Sequence, residues 1–124
     1  MSVLISLADY EAVAADRLEP MVRGYFASGS DDQITLTENR RAWQSLRLRP
    51  RNLVDVSQVA LSTTVLGQRV SMPVLVAPMA FQQMAHPDGE AATALGTGRA
   101  ESIYILSTIS NIPMEQVCAA ATGP

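Results

Sequence analysis

The residues able to do chemistry in this chain are few and widely spaced. His86 is the one histidine, Cys118 the one cysteine, and all 9 basic residues are arginines. Without lysine, Schiff-base catalysis and a P-loop lysine are excluded for the chain taken alone. One thiol and one imidazole cannot assemble a zinc-type ligand set, and Cys118 cannot close an internal disulfide. No metal is expected, and a reducing compartment fits best. His86 precedes Pro87 without a chemical partner nearby and reads as a structural loop residue. Tyr25, taken alone, reads as a core or helix-packing tyrosine. Cys118 reads as a small buried or half-buried filler, and Met72, Met79 and Met84 as packing.

Charge narrows the partners. Arg40, Arg41, Arg47, Arg49 and Arg51 lie close together, but acids stand nearby and the net charge is -3. They read as solvated or paired, not as a nucleic-acid surface, which needs a basic face to displace phosphate counterions. At 48% hydrophobic and 17% charged, the 124 residues describe a folded globular chain. No stretch approaches the roughly 18 apolar residues of a membrane span. The first residues, MSVLISLADYE, lack a basic start and meet acid early, so they read as an amphipathic helix and not as a signal peptide. The expectation is a cytoplasmic protein.

The elements that must position these side chains follow from periodicity. Ser6-Leu7-Ala8-Asp9 has the form of a capped helix start, and Leu7, Tyr10, Val13 and Ala14 recur at helical spacing. Pro20 suits the first turn of a second helix, with Met21 and Tyr25 on one face and Ala27 to Ser30 ending it. Asp31 or Asp32 is the expected cap of a third helix through about Leu46, before Pro50. Leu53 to Val56 reads as a strand, and Ser62 to Ser71 as a small hairpin about Leu66-Gly67-Gln68. Val74 to Ala77 and Ile103 to Leu106 are solidly apolar runs, of the kind buried on both faces of a parallel sheet.

Between those runs a helix is expected from Asp88, with Glu90 in its first turn, to about Glu101, weakened by Gly96 and Gly98. Asn111-Ile112-Pro113 opens a last helix to about Ala121. A strand-helix-strand unit of this length makes the two strands parallel neighbours. Pro78-Met79-Ala80 and Ser107-Thr108-Ile109 should therefore emerge side by side at the carboxyl rim, where α/β folds bind ligands.

Several spaced motifs then carry a resemblance. They are Tyr25-Phe26-Ala27-Ser28-Gly29, Asp32-Gln33 with Thr35-Leu36 and Glu38-Asn39, Arg47-Leu48-Arg49-Pro50-Arg51, and Thr63 to Gly67. Met72-Pro73-Val74, Ala77-Pro78-Met79-Ala80 and Met84-Ala85-His86-Pro87-Asp88-Gly89-Glu90 continue them. Together they resemble the N-terminal part of the FMN-dependent 2-hydroxy acid oxidases and dehydrogenases, the glycolate oxidase and lactate oxidase family. The match spans nearly the whole chain.

The resemblance implies an α/β fold, the first part of a TIM (β/α)8 barrel that carries FMN at its carboxyl rim. Residues 1–51 would be N-terminal helices, 52–72 a strand and a hairpin closing the barrel bottom, and 73–124 the first two βα units. It implies that Tyr25 binds the substrate carboxylate, and that Pro78, Met79, Ala80 and Ser107 contact the flavin. Ile109 falls where plant glycolate oxidases have a tryptophan, so lactate or a longer 2-hydroxy acid is as acceptable a substrate as glycolate. Arg99 and Glu101 stand where the family usually has Ala and Gly, which implies an exposed helix end or relaxed packing there.

A TIM barrel takes about 250 residues. The family's base histidine, carboxylate-pairing arginine, flavin-side lysine, second tyrosine and late phosphate loop would lie beyond Pro124. No catalytic residue is assigned within the chain, which is expected to be inactive alone. The alternative expectation is a non-catalytic fragment or split-barrel module that self-associates or complements a remaining barrel piece through unpaired strand edges. In full-length form a homo-oligomer is expected.

Overall fold

The computed structural model describes residues 3–124 and divides into two units, Met1–Val54 and Asp55–Pro124. The first is helical. Helix α1, Leu7–Arg17, starts as its sequence requires: the Ser6 hydroxyl accepts from Asp9 N, while the Asp9 carboxylate accepts from Ser6 N at 2.8 Å. Backbone N–H groups of Ser6 and Ile5 thereby hold the Asp9 carboxyl below the usual aspartate range. Helix α2, Pro20–Ala27, has Pro at its first position and buries Val22.

Helix α3, Ile34–Ser45, corrects the expected cap. Neither Asp31 nor Asp32 caps it: Asp31 takes φ 45 in the preceding turn, and Gln33, at φ 57, is the residue before the first helical turn. That left-handed backbone turns the chain into the helix without a side-chain cap. The arginines do pair or face solvent, as Arg40 reaches Glu11 at 3.2 Å with both side chains exposed.

In the second unit, strands β1, Thr63–Val65, and β2, Gln68–Val70, form an antiparallel hairpin pairing Thr63 with Val70. Its connection is Leu66-Gly67, with φ 49 and 81, the two positive values that a type I′ turn needs. Ser71 leaves the hairpin tied to the end of the next helix, its N–H donating to Glu101 O at 2.9 Å and its hydroxyl to Ala100 O at 2.7 Å. The expected strand at Leu53 to Val56 is not formed. Leu53 takes φ 58, and an exposed run with no neighbouring strand has nothing to pair with.

Helix α4, Gly89–Arg99, and helix α5, Met114–Ala120, pack together over a small core of Ala94, Ile112 and Val117, joined by Ala91, Tyr104 and Leu106. The two apolar runs are parallel neighbours, but as one bridge, Val76 with Tyr104, and not as full strands. Val76 N donates to Ile103 O and Ile105 N to Val76 O, each at 3.0 Å. Burial on both faces is also not met: Val74 is 62% exposed and Ile105 42%. Two adjacent parallel segments cover only one edge of each other, and without further strands the ladder stays short. Cys118, expected as a buried filler, is exposed on α5.

Candidate functional site

The second unit brings two loops to one rim. The first runs from Pro78 into a single 3-10 turn, Gln82–Met84; the second runs from Ser107 to Asn111. Phe81 N donates to Ile109 O at 3.3 Å, and Gln83 N to the Asn111 side-chain oxygen at 3.0 Å. The sequence-predicted residues Pro78, Met79, Ala80, Ser107 and Ile109 thus share one end of the parallel pair. Met79 is 46% and Ile109 55% exposed there, two apolar side chains turned to open space.

The rim presents unspent donors. The N–H groups of Met79 and Ala80 make no hydrogen bond to other described residues. Ser107 Oγ accepts from Ile109 N at 3.2 Å, which leaves its proton to give. Phe81, next in the chain, holds φ 55, a strained conformation for an aromatic residue, at the start of the 3-10 turn.

Beneath the loops lies a polar cluster that sequence reasoning missed. Glu90, in the first turn of α4, has no solvent exposure. Its Oε1 accepts from Gln82 N at 3.2 Å and from Asn111 N at 3.0 Å. Burial works against its charge, but backbone N–H groups of Asn111, Glu90 itself, Gln82 and Ile112 outweigh it and keep the carboxyl below the usual glutamate range. The helix N-terminus favours the same ionised form.

Gln82 is saturated: its amide nitrogen donates to Met79 O at 3.2 Å and to Tyr104 Oη at 2.8 Å, while its amide oxygen accepts from the Thr93 hydroxyl. Burial, partly offset by the Gln82 bond and reinforced by the charge of Glu90, raises the Tyr104 phenol. The one signal for this cluster in the sequence was an acid among small residues, Gly89-Glu90-Ala91-Ala92-Thr93-Ala94, where a helix packs too closely to expose it.

His86 lies outside this cluster. Its Nδ1 accepts from Asp88 N at 3.2 Å and stands 3.8 Å from the Asp88 carboxylate, both side chains exposed, which shapes the loop and activates nothing. Tyr25 belongs to the first unit, on α2, with its ring edge-on to Phe26 at 5.2 Å. Among the described residues there is no group of three or more His, Cys, Asp or Glu able to hold a metal, and no helix long and apolar enough to cross a membrane.

Known proteins share this arrangement. Glycolate oxidase 3 of Arabidopsis thaliana is 49% identical over 121 residues, covering 98% of this chain and 32% of the relative. Glycolate oxidase of Spinacia oleracea is 46% identical over 121 residues, with the same coverage of 98% and 32%. An active chimera of (S)-mandelate dehydrogenase superposes with a TM-score of 0.90 at 36% identity, over 98% of this chain and 34% of that one. A mutant flavocytochrome b2 with pyruvate bound gives 0.89 at 31%, over 95% and 31%. The chain therefore spans about a third of the length of the relatives it matches. The profile described as FMN-dependent dehydrogenase matches residues 14–124, rim and buried glutamate included, and the chain belongs to that family.

Proposed function

We infer that this chain is the N-terminal portion of an FMN-dependent oxidoreductase that converts (S)-2-hydroxy acids of the lactate and glycolate class to 2-keto acids. The observation that carries the reading is the shared rim, where Phe81 N meets Ile109 O beyond a parallel bridge at Val76 and Tyr104. The family resemblance makes the whole 1–124 one incomplete domain: helices in 1–51, a bottom hairpin in 52–72, and the first two βα units of a TIM barrel in 73–124.

The rim's donor set fits the flavin ring. Met79 and Ala80 offer backbone N–H groups without adding charge, Pro78 contributes a rigid edge, and Ser107 keeps a hydroxyl proton to donate. When bound, FMN supplies the electron acceptor for oxidation of the hydroxy acid. Tyr25 is assigned to the substrate carboxylate by the resemblance. Ile109, aliphatic and exposed, leaves room for a side chain larger than that of glycolate.

Mixed with FMN and L-lactate or glycolate, the isolated chain is expected to show no turnover on the ordinary enzyme scale of roughly 1 per second or faster. Joined to the C-terminal two thirds of a glycolate oxidase, it is expected to restore oxidation, with Tyr25→Phe lowering kcat/KM by about 10- to 100-fold. A joined protein that folds and binds FMN yet oxidises no 2-hydroxy acid overturns the assignment.

A second reading rests on the exposed Val74, Val76 and Ile105. They favour a non-catalytic module that self-associates or completes a split barrel.

A further inference from the structure

We propose that Glu90 is a positioning residue, a clamp in which one oxygen of a fully buried carboxylate, Oε1, sets the spacing between the two rim loops. Gln82 and Asn111 are 29 residues apart in sequence, yet both backbone N–H groups point at the same Oε1, at 3.2 and 3.0 Å. Each donor sits inside a rim loop: Gln82 is two residues after Ala80, and Asn111 two residues after Ile109. Glu90 is fully buried and fixed in the first turn of α4, so the anchor point moves only with the helix.

The loops have lesser ties of their own, from Phe81 N to Ile109 O and from Gln83 N to Asn111 Oδ1. Those are bonds between neutral groups, weaker than bonds to a carboxylate by roughly a factor of two. The neutral amide of a glutamine keeps an acceptor oxygen at this place but loses the charge. Tyr104, from the second parallel segment, is the titratable group electrostatically coupled to Glu90; His86 and Asp88 precede it with exposed side chains.

The clamp's importance for the flavin rests on the proposed function, but its existence does not. Amide NMR of the full chain separates the two. The Gln82 and Asn111 N–H signals are expected to titrate together with one midpoint in acid. Glu90→Gln is expected to abolish that titration and to speed hydrogen exchange at both amides about tenfold or more. Should E90Q fail to fold, the wild-type titration decides alone. Amides that titrate separately or not at all, or exchange unchanged in a folded E90Q, overturn the clamp. FMN is then added: no response of the Met79, Ala80 and Ser107 amides, with the shared titration intact, leaves the clamp standing and counts against the flavin reading. Equal FMN affinity in wild type and E90Q removes any role for the clamp in positioning that site.

Discussion

Glu101 holds its backbone at φ 52, where a Cβ crowds the next carbonyl at a cost of about 1–2 kcal/mol. The family resemblance places a glycine at this position, and the angle supplies the reason. Glu101 is exposed, so its side chain gains no burial in return. Glu101→Gly is expected to raise stability by about 0.5–1 kcal/mol once glycine's own entropy cost is deducted, read as a higher urea midpoint with an unchanged slope. Glu90 gives a second prediction. Its folded-state carboxyl titrates below its unfolded value, so its contribution is fully present above roughly pH 4–5 and lost as the pH falls through the folded value. At pH 7, Glu90→Gln is expected to lose about 1.5–3 kcal/mol, with the gap to wild type narrowing in acid. Urea unfolding at several pH values, followed by circular dichroism, checks both size and sign. These residues were not equally legible in sequence. Tyr25 and Ser107 were assigned from their flanking motifs by resemblance, whereas Glu90 acts through the backbone N–H groups of Gln82 and Asn111, 8 and 21 residues away, which no local spacing reveals.

Two of the three glycines of helix α4, Gly96 and Gly98, differ in what surrounds them. A Cβ on Gly98 would lie 2.5 Å from Gly123 N and 2.6 Å from Thr122 Oγ1, so the chain after α5 crosses the helix where only glycine fits. A Cβ on Gly96 would meet nothing within 4 Å. Gly98→Ala is therefore expected to destabilise by about 1–3 kcal/mol, and Gly96→Ala to stabilise by about 0.5–1 kcal/mol. Opposite shifts in thermal midpoint between the two variants are the check; shifts of the same sign contradict the close crossing. Both glycines looked like weaknesses in sequence, because helix propensity counts the cost to the helix and not the neighbour that needs the space. A capping box placed the start of α1, and Pro20 and helical spacing placed α2 and α4 to within a residue or two, while α5 begins at Met114, three residues after the expected Asn111. The apolar runs at Val74 and Ile103 were overread, because strand length depends on partners as well as on side-chain type.

Across the molecule, apolar side chains remain on the parallel segments in a chain that spans about a third of its relatives. Such faces drive association unless covered. The chain is expected to self-associate as its concentration rises, and paired Val74→Ser and Ile105→Ser changes are expected to shift it towards monomer. Size-exclusion chromatography with light scattering reads this directly, and a monomer at every concentration would contradict it. The order of two parallel apolar segments about a helix was legible in the sequence, but their strand length and degree of burial were not, because composition says what a surface is made of and not what lies against it. The anchoring at Glu90 also bears on evolution. Its grip falls on peptide nitrogens, which every residue but proline supplies, so the names of the amino acids along the two loops are left open. Under the proposed function, substitution at position 109 would retune which acid is accepted while the frame beneath stays put, and selection for a new substrate would not begin by risking the scaffold.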